Sequence, residues 1–276
     1  MDKTVSILGC GWLGLPLAKH LLEAGYTVKG STTTGTKVSA LYALDVEPYL
    51  MEIEPEIMDT AAFAPFFEAD VLVVTLPPGS RNPGYESPYP AQMRWIRKQV
   101  MAQKTPPRVI MISSTSVYAG EKKEVFEENV TSEEEAGNKT IFRAEKVWLE
   151  KDKPDSTILR CGGLLGEQRI PGKYFAGKEI KTGDVPVNFI HQVDVIQIIS
   201  RLIRQRGNFS VYNLVAPQHP KREVVYRANA EAFGFDLPIF VEPDEIPSYK
   251  IVNSDRVRSD LNYEFRYPDP ILFEYT

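Results

Sequence analysis

Residues Gly9 to Gly14 read GCGWLG, which satisfies G-x-G-x-x-G. The run follows a short β-rich stretch, Thr4–Leu8, and opens a stretch in which Leu13, Leu17, Leu21 and Leu22 recur at helical spacing. In that setting each glycine has a task. Gly9 permits the tight turn, Gly11 lets the backbone approach a pyrophosphate, and Gly14 lets the helix pack against the strand. The helix N-terminus adds unpaired N–H groups and partial positive charge. The alternative is a glycine-rich turn that holds no ligand.

A second stretch is VIMISSTSVYAG, Val109–Gly120. It reads as a buried strand ending in four hydroxyls, Ser113, Ser114, Thr115 and Ser116, with Tyr118 and Gly120 close behind. Polar groups at the carboxyl end of such a strand stand where open α/β sheets bind their ligands.

A third feature is an absence. An acid some twenty residues past the glycines would bind the ribose 2′-hydroxyl of NAD, yet Ala24–Leu44 contains no Asp or Glu. The second strand instead ends KGSTTTGTK. Ser31, Thr32, Thr33 and Thr34 can donate hydrogen bonds to a 2′-phosphate, Lys37 can add charge, and Lys29 less directly. This favours NADP(H) over NAD(H); a polar turn that ignores the nucleotide is the competing reading.

The elements that must position these groups alternate. Strands are expected at Thr4–Leu8, Tyr26–Gly30, Tyr49–Ile53, Val71–Leu76, Val109–Ser113, Thr157–Cys161 and Phe209–Val215. Helices are expected after the glycines, with Pro16 in the first turn and Gly25 as the stop, and at Ala91–Gln103, Lys139–Lys151 and Val193–Gln205. Pro77–Pro90 is loop. The alternation implies an α/β fold, a Rossmann-type doubly wound parallel sheet with a small C-terminal substrate lobe. Residues 1–160 form the dinucleotide-binding domain, and 161–276 supply the last strands and the lobe.

Composition narrows the function. The chain has 276 residues, 43% apolar and 25% charged, with net charge −5. No long basic block exists, so nucleic acid and anionic membrane surfaces are not expected partners. No apolar run reaches the ~18 residues of a membrane span. The N-terminal run is broken by three glycines and a proline and offers no cleavage site, so it does not read as a signal peptide. Cys10 and Cys161 fit no metal or disulfide spacing; they read as free thiols of a cytoplasmic protein, and no metal is expected.

Several stretches together resemble one family, the extended short-chain dehydrogenases/reductases of the NAD-dependent epimerase/dehydratase group. SSTSVYAG resembles the end of its fifth strand, TILRCGGLLG (157–166) its sixth, VNFIHQVDVIQII (187–199) its F-I-H-V-x-D-V segment, and VYNLVAP (211–217) its late strand. GWLG, the TLPP strand end, STSVY, PGKYFAGK and the terminal YPDP resemble the YeeZ-like branch of the atypical members. The resemblance implies cofactor contacts from Gly9, Gly11, Trp12, Leu13, Gly14, Ser31, Thr32, Thr33, Thr75, Leu76, Pro77 and Ser113. By position Ser114 matches the family hydroxyl that holds the substrate's reacting oxygen, with Thr115 beside it.

The family's proton relay is a Tyr-x-x-x-Lys pair at the start of the next helix. Here no tyrosine lies between Tyr118 and Tyr174. Aligning Glu145 on the family's downstream acid puts the two positions at Gly137 and Ile141; Lys139 is the nearest cation. Substitutes are Tyr118 and His191, each with a supporting or core role as its alternative, and Tyr174 with Lys173 in PGKYFAGK, where relatives bind substrate. Arg169, Lys173, Tyr174, Lys178 and Asn188 form, by analogy, a donor cluster for an anionic or polyhydroxylated small molecule, or else solvated surface. His20 and His219 read as surface residues, Asp184 and Asp194 as caps, and the acidic run 121–135 as a solvated face. The expected function is an NADP(H)-dependent oxidoreductase of a small or sugar-like substrate. The alternatives are a non-catalytic NADP(H)-sensing protein and, third, a structural protein without nucleotide. A homodimer is expected only by analogy with relatives.

Overall fold

A computed structural model describes residues 3–54, 61–79, 87–150 and 154–275. In chain order the elements are β1 (Thr4–Leu8), α1 (Gly14–Glu23), β2 (Thr27–Thr32), α2 (Thr36–Tyr42), β3 (Glu47–Leu50), α3 (Ala64–Phe67), β4 (Val71–Val74), α4 (Tyr89–Met101), β5 (Arg108–Ser114), β6 (Glu124–Val125), α5 (Lys139–Leu149) and β7 (Ser156–Cys161). There follow β8 (Gly163–Leu165), β9 (Glu179–Ile180), β10 (Phe189–His191), α6 (Gln192–Arg204), β11 (Val211–Leu214), α7 (Arg222–Phe233), β12 (Ile239–Phe240), β13 (Ile251–Val252) and α8 (Asp255–Leu261).

Seven strands form one parallel sheet in the order β11-β7-β5-β4-β1-β2-β3. The order reverses at β1 and β4, the switch point where doubly wound sheets open a crevice. The central strands are continuous apolar runs because both faces are covered: Val71–Val74 and Val109–Met111 are almost wholly buried. Helix α1 turns Leu17, Ala18 and Leu21 inward, and Gly25 ends it at φ +83°, a backbone state that costs glycine little.

Two compact units divide the chain, and both are discontinuous. The first comprises 1–113, 138–159 and 202–211; the second comprises 114–137, 160–201 and 212–276. Within the second unit lie three short parallel pairs, β8 with β10, β9 with β12 and β6 with β13. Leu165, Ile170, Ala216, Phe273 and Tyr275 make one of its apolar clusters, and Ile180, Val187, Val225 and Tyr226 another.

The expected strands and helices all occur, with shifted ends. β2 runs on to Thr32, β3 lies earlier than expected, and β4 stops at Val74. Helices α2, α3, α7 and α8 were not expected. α2 starts inside a hydroxyl-rich run, and α7 is framed by Pro217, Pro220 and Pro238, which punctuate the sequence without entering the helix. Residues 80–86 of the expected proline loop, and Lys151 of the expected helix, lie outside the described residues.

Candidate functional site

The glycine loop has the geometry its spacing predicts. Gly9 sits at φ +105°. A Cβ on Gly14 would stand 2.2 Å from the Gly9 carbonyl oxygen, so helix and strand touch there through backbone alone. A Cβ on Gly11 would meet nothing within 4 Å, which leaves that side of the loop open. Thr75 pins the turn from β4, its hydroxyl donating to the carbonyls of Gly9 at 2.6 Å and Leu8 at 3.1 Å. At the start of α1, Leu13 provides no side-chain cap, so the first-turn amides lack a side-chain acceptor. Trp12 is half-buried and Leu13 buried.

The end of β2 splits into two pairs. Ser31 and Thr32 are buried. Ser31 Oγ accepts the Gly9 amide at 2.9 Å, and Thr32 Oγ1 accepts the Thr34 amide at 3.2 Å. Thr33, Thr34 and Lys37 are exposed. Lys29 turns away, donating to the carbonyls of Pro65 at 2.6 Å and Glu68 at 3.0 Å; it is a strut, not a phosphate ligand.

At the end of β5, Ser113 Oγ donates to Glu145 Oε1 at 2.5 Å, with both residues buried. The Tyr89 hydroxyl donates to the Leu76 carbonyl at 3.2 Å, and Leu76 and Pro77 follow β4.

In the second unit, Ser114 is half-buried and caps a short 3-10 turn over 115–117, its Oγ accepting the Ser116 amide at 3.1 Å. The hydroxyl hydrogen remains free to donate, since a hydroxyl carries one donor and two lone pairs. Thr115 is buried.

Tyr118 is not an acid here. Its ring is 2% exposed, and its hydroxyl lies 2.7 Å from Asn213 Oδ1 and 2.8 Å from the Arg160 guanidinium. Burial pushes the phenol up to about 12, against the opposing pull of Arg160. His191 is likewise structural. Nε2 meets the Glu274 carbonyl at 2.7 Å, Nδ1 accepts the Val193 amide at 3.3 Å, and Tyr267 packs on the ring. Burial lowers its pKa from the ordinary value. A neutral ring with both nitrogens engaged has no proton to exchange with a ligand.

Three other readings need correction. Asp194 is no cap: it is fully buried and accepts from the Tyr263 hydroxyl and the amides of Arg266 and Tyr267 at 2.7, 2.7 and 3.1 Å. Glu127 leaves the solvated acidic run, buried at 7% exposure, where Oε1 accepts the Asn213 amide at 2.8 Å. His219 is half-buried, with Nδ1 2.9 Å from the Val187 carbonyl.

Gly137, the position aligned with the family tyrosine, explains the missing relay. A Cβ there would stand 2.5 Å from the Tyr118 carbonyl oxygen and 2.8 Å from the Ala119 amide nitrogen. No side chain fits without moving that turn. Lys139 opens α5 on the exposed surface.

The residues of the expected substrate cluster differ in exposure and in their partners. Lys173 and Tyr174 are exposed, and Lys178 donates to the Tyr174 carbonyl at 3.2 Å. Arg169 closes a tight turn on Gly166. Asn188 is spent on structure: its amide clamps the Lys250 carbonyl at 2.9 Å and the Val252 amide at 2.8 Å. Both cysteines are free and buried, and burial pushes each thiol up to about 12. Among the described residues no group of three or more His, Cys, Asp or Glu could hold a metal, and no helix is long and apolar enough to cross a membrane.

The residue that sequence reasoning missed is Lys250. Its ammonium donates to the Tyr118 carbonyl. The two positions are 132 apart, and SYKIVN carries no motif spacing that would signal the contact.

Comparison with known proteins places the chain. It matches no family model. It is 35% identical over 272 residues to Protein YeeZ of Escherichia coli K12, covering 98% of each chain. Among solved structures it resembles WbmG of Bordetella bronchiseptica in complex with NAD, at TM-score 0.77 and 15% identity, covering 98% of this chain and 92% of that one. It also resembles the ADP-L-glycero-D-manno-heptose-6-epimerase of Helicobacter pylori, at TM-score 0.74 and 18% identity, covering 98% and 94%. The two structures share its fold, and the full-length sequence match fixes the branch: the chain belongs to the YeeZ-like atypical short-chain dehydrogenases/reductases.

Proposed function

We propose that this protein is an NADP(H)-dependent oxidoreductase acting on a carbonyl or hydroxyl of a small, sugar-like molecule. The carrying observation is the glycine loop, strained at Gly9, closed onto the helix at Gly14 and open at Gly11. That combination suits a pyrophosphate at the N-terminus of α1. WbmG, which shares the fold, has been solved with NAD, and the heptose epimerase acts on a nucleotide sugar by its name. These titles support the cofactor and substrate classes.

Exposed Thr33, Thr34 and Lys37, with no acid across Ala24–Leu44, support a 2′-phosphate over a free ribose hydroxyl. Ser31 and Thr32 shape that turn from within. When bound, the nicotinamide supplies the hydride. Ser114 donates to the reacting oxygen, and Lys173 and Tyr174 are the exposed groups offered to the substrate.

Thermal-shift titration of the apo protein tests the reading. A ligand that binds only the folded state adds about 2.7 kcal/mol at 100 times its Kd. A larger shift with NADPH and NADP than with NADH and NAD is expected. No shift with any of the four would remove the reading.

A second reading, a non-catalytic sensor of the NADP(H) state, is favoured by Gly137, where the usual tyrosine is absent and excluded. NADPH oxidation with any member of a carbonyl panel separates the two, since a sensor turns nothing over.

A further inference from the structure

Helices α4 and α5 pack against each other within the first unit, and Arg97 of α4 meets Glu150, just past α5, at 3.1 Å. Their outward rows share one spacing. On α4, Arg94, Lys98 and Met101 stand at i, i+4 and i+7, and on α5 Lys139, Arg143 and Lys146 do the same. All six are exposed, and side chains at that spacing lie on one helix face. From Tyr89 to Arg108 the sequence has five cations and no acid. The one acid within α5, Glu145, is buried against Ser113. The two helices thus present a cationic face around one large apolar side chain, Met101, which is 44% exposed.

The opposite charge is concentrated in the second unit. Seven glutamates and two lysines stand between Glu121 and Glu135, a net −5, the same as the whole chain. The other residues therefore balance, and this segment alone accounts for the negative charge of the protein. Glu121, Glu124, Glu128, Glu134 and Glu135 are exposed. Glu121, Glu128 and Glu135, with Asn129 and Thr131, line a cavity of about 320 Å³. Here too a large apolar side chain sits in the charged field, Phe126 at 41% exposure.

Neither surface suits its own image. In a two-fold contact the same patch meets itself, which here sets cation on cation or carboxylate on carboxylate. The two surfaces suit each other, with opposite fields around an apolar centre. Protein interfaces are built that way, an apolar centre within a polar rim, with methionine and aromatic residues enriched at the centre. A thioether also packs well on an aromatic ring. The net charge of the chain disfavours nucleic acid in the same role.

We propose that the α4–α5 face of one copy docks the acidic segment 121–135 of a second copy, with Met101 on Phe126 and the helix cations facing the glutamate-lined cavity. The contact is head-to-tail, so a pair leaves one surface of each kind unused. Exposed ion pairs contribute little singly, so the association is weak and falls with salt. It holds with or without a nucleotide.

Sedimentation velocity of the full-length protein tests it. At about 30 mM salt the sedimentation coefficient should rise with protein concentration, and at about 300 mM the apparent Kd should be about tenfold weaker. Two charge-reversed variants test the pairing. Arg94→Glu with Lys98→Glu should run as a monomer, and so should Glu121→Lys with Glu134→Lys. Both should keep the parental Tm, because all four positions are exposed. Mixed together they should associate again, since the first keeps its acidic segment and the second its helix face. A parent that stays monomeric at low salt would overturn the proposal. So would association that survives either variant at parental strength, or variants that stay apart when mixed, since the contact would then use other surfaces.

Discussion

Ser113 and Glu145 are joined by a 2.5 Å hydrogen bond between the end of β5 and the middle of α5, and both side chains are buried. The bond fixes the register of α5 against the strand. It is also why the alignment that puts the family's tyrosine at Gly137 and its lysine at Ile141 has no slack. Ser113→Ala removes a donor from a buried carboxylate, which costs about 1–3 kcal/mol. Urea unfolding at neutral pH should show that loss; a change below about 0.5 kcal/mol would mean that other partners hold Glu145 unaided.

Restoring the family motif should fail. In Gly137→Tyr with Ile141→Lys, the new Cβ at 137 meets the Tyr118 carbonyl at 2.5 Å, and the lysine replaces a side chain that is 1% exposed. Overpacking alone costs about 1–3 kcal/mol. The double variant should melt well below the parent and gain no NADPH oxidation on a carbonyl panel. A variant of parental stability with new turnover would show that the 118–119 turn yields, and that the missing relay is an accident of sequence.

Gly11 separates fold from ligand. A Cβ there meets nothing within 4 Å, so Gly11→Trp should fold with a Tm near that of the parent. The indole would fill the open side of the loop and abolish the thermal shift with NADPH. A retained shift would place the nucleotide elsewhere. Gly14→Ala is the contrasting case: its Cβ would stand 2.2 Å from the Gly9 carbonyl, so it should lose stability before any ligand is added.

Asp194 should be among the costliest single positions of the second unit. Asp194→Ala leaves the Tyr263 hydroxyl and the amides of Arg266 and Tyr267 without their acceptor, on the order of 3 kcal/mol in all. Chemical denaturation reads it. A loss under about 1 kcal/mol would mean that the C-terminal segment does not depend on this anchor.

What could be read from the sequence was what is local. The β-rich and continuous apolar runs of β1, β4 and β5, the glycine spacing and the hydroxyl cluster carry their meaning within a dozen residues, and the sheet follows from the alternation of strands with helices. Long-range packing was not legible. Glu127 lies in an acidic run that composition assigns to solvent, yet Asn213 draws it inside. Helix α7 is hidden by the prolines around it. Tyr118 and His191 have the chemistry of acids, and only their partners Arg160, Asn213 and Glu274 show that they are fully used. Lys250 had the opposite fate, an unremarked lysine until a carbonyl distant in sequence gave it a place.

The stability of the folded chain should report that lysine directly. An ordinary lysine titrates at 10.5 and Lys250 at about 8, so between those values the folded chain holds fewer protons than the unfolded one. Raising the pH through that window therefore favours the folded state, and lowering it through about 8 removes the advantage. Lys250→Met has no such group. The stability of the parent minus that of Lys250→Met should be flat below about pH 7 and climb towards the parent from about pH 8 to 10, where the two share all other titrations. Urea unfolding of the pair across that range measures it. A flat difference throughout would mean that the amine titrates like any surface lysine, and that the turn at Tyr118 holds a fully solvated charge.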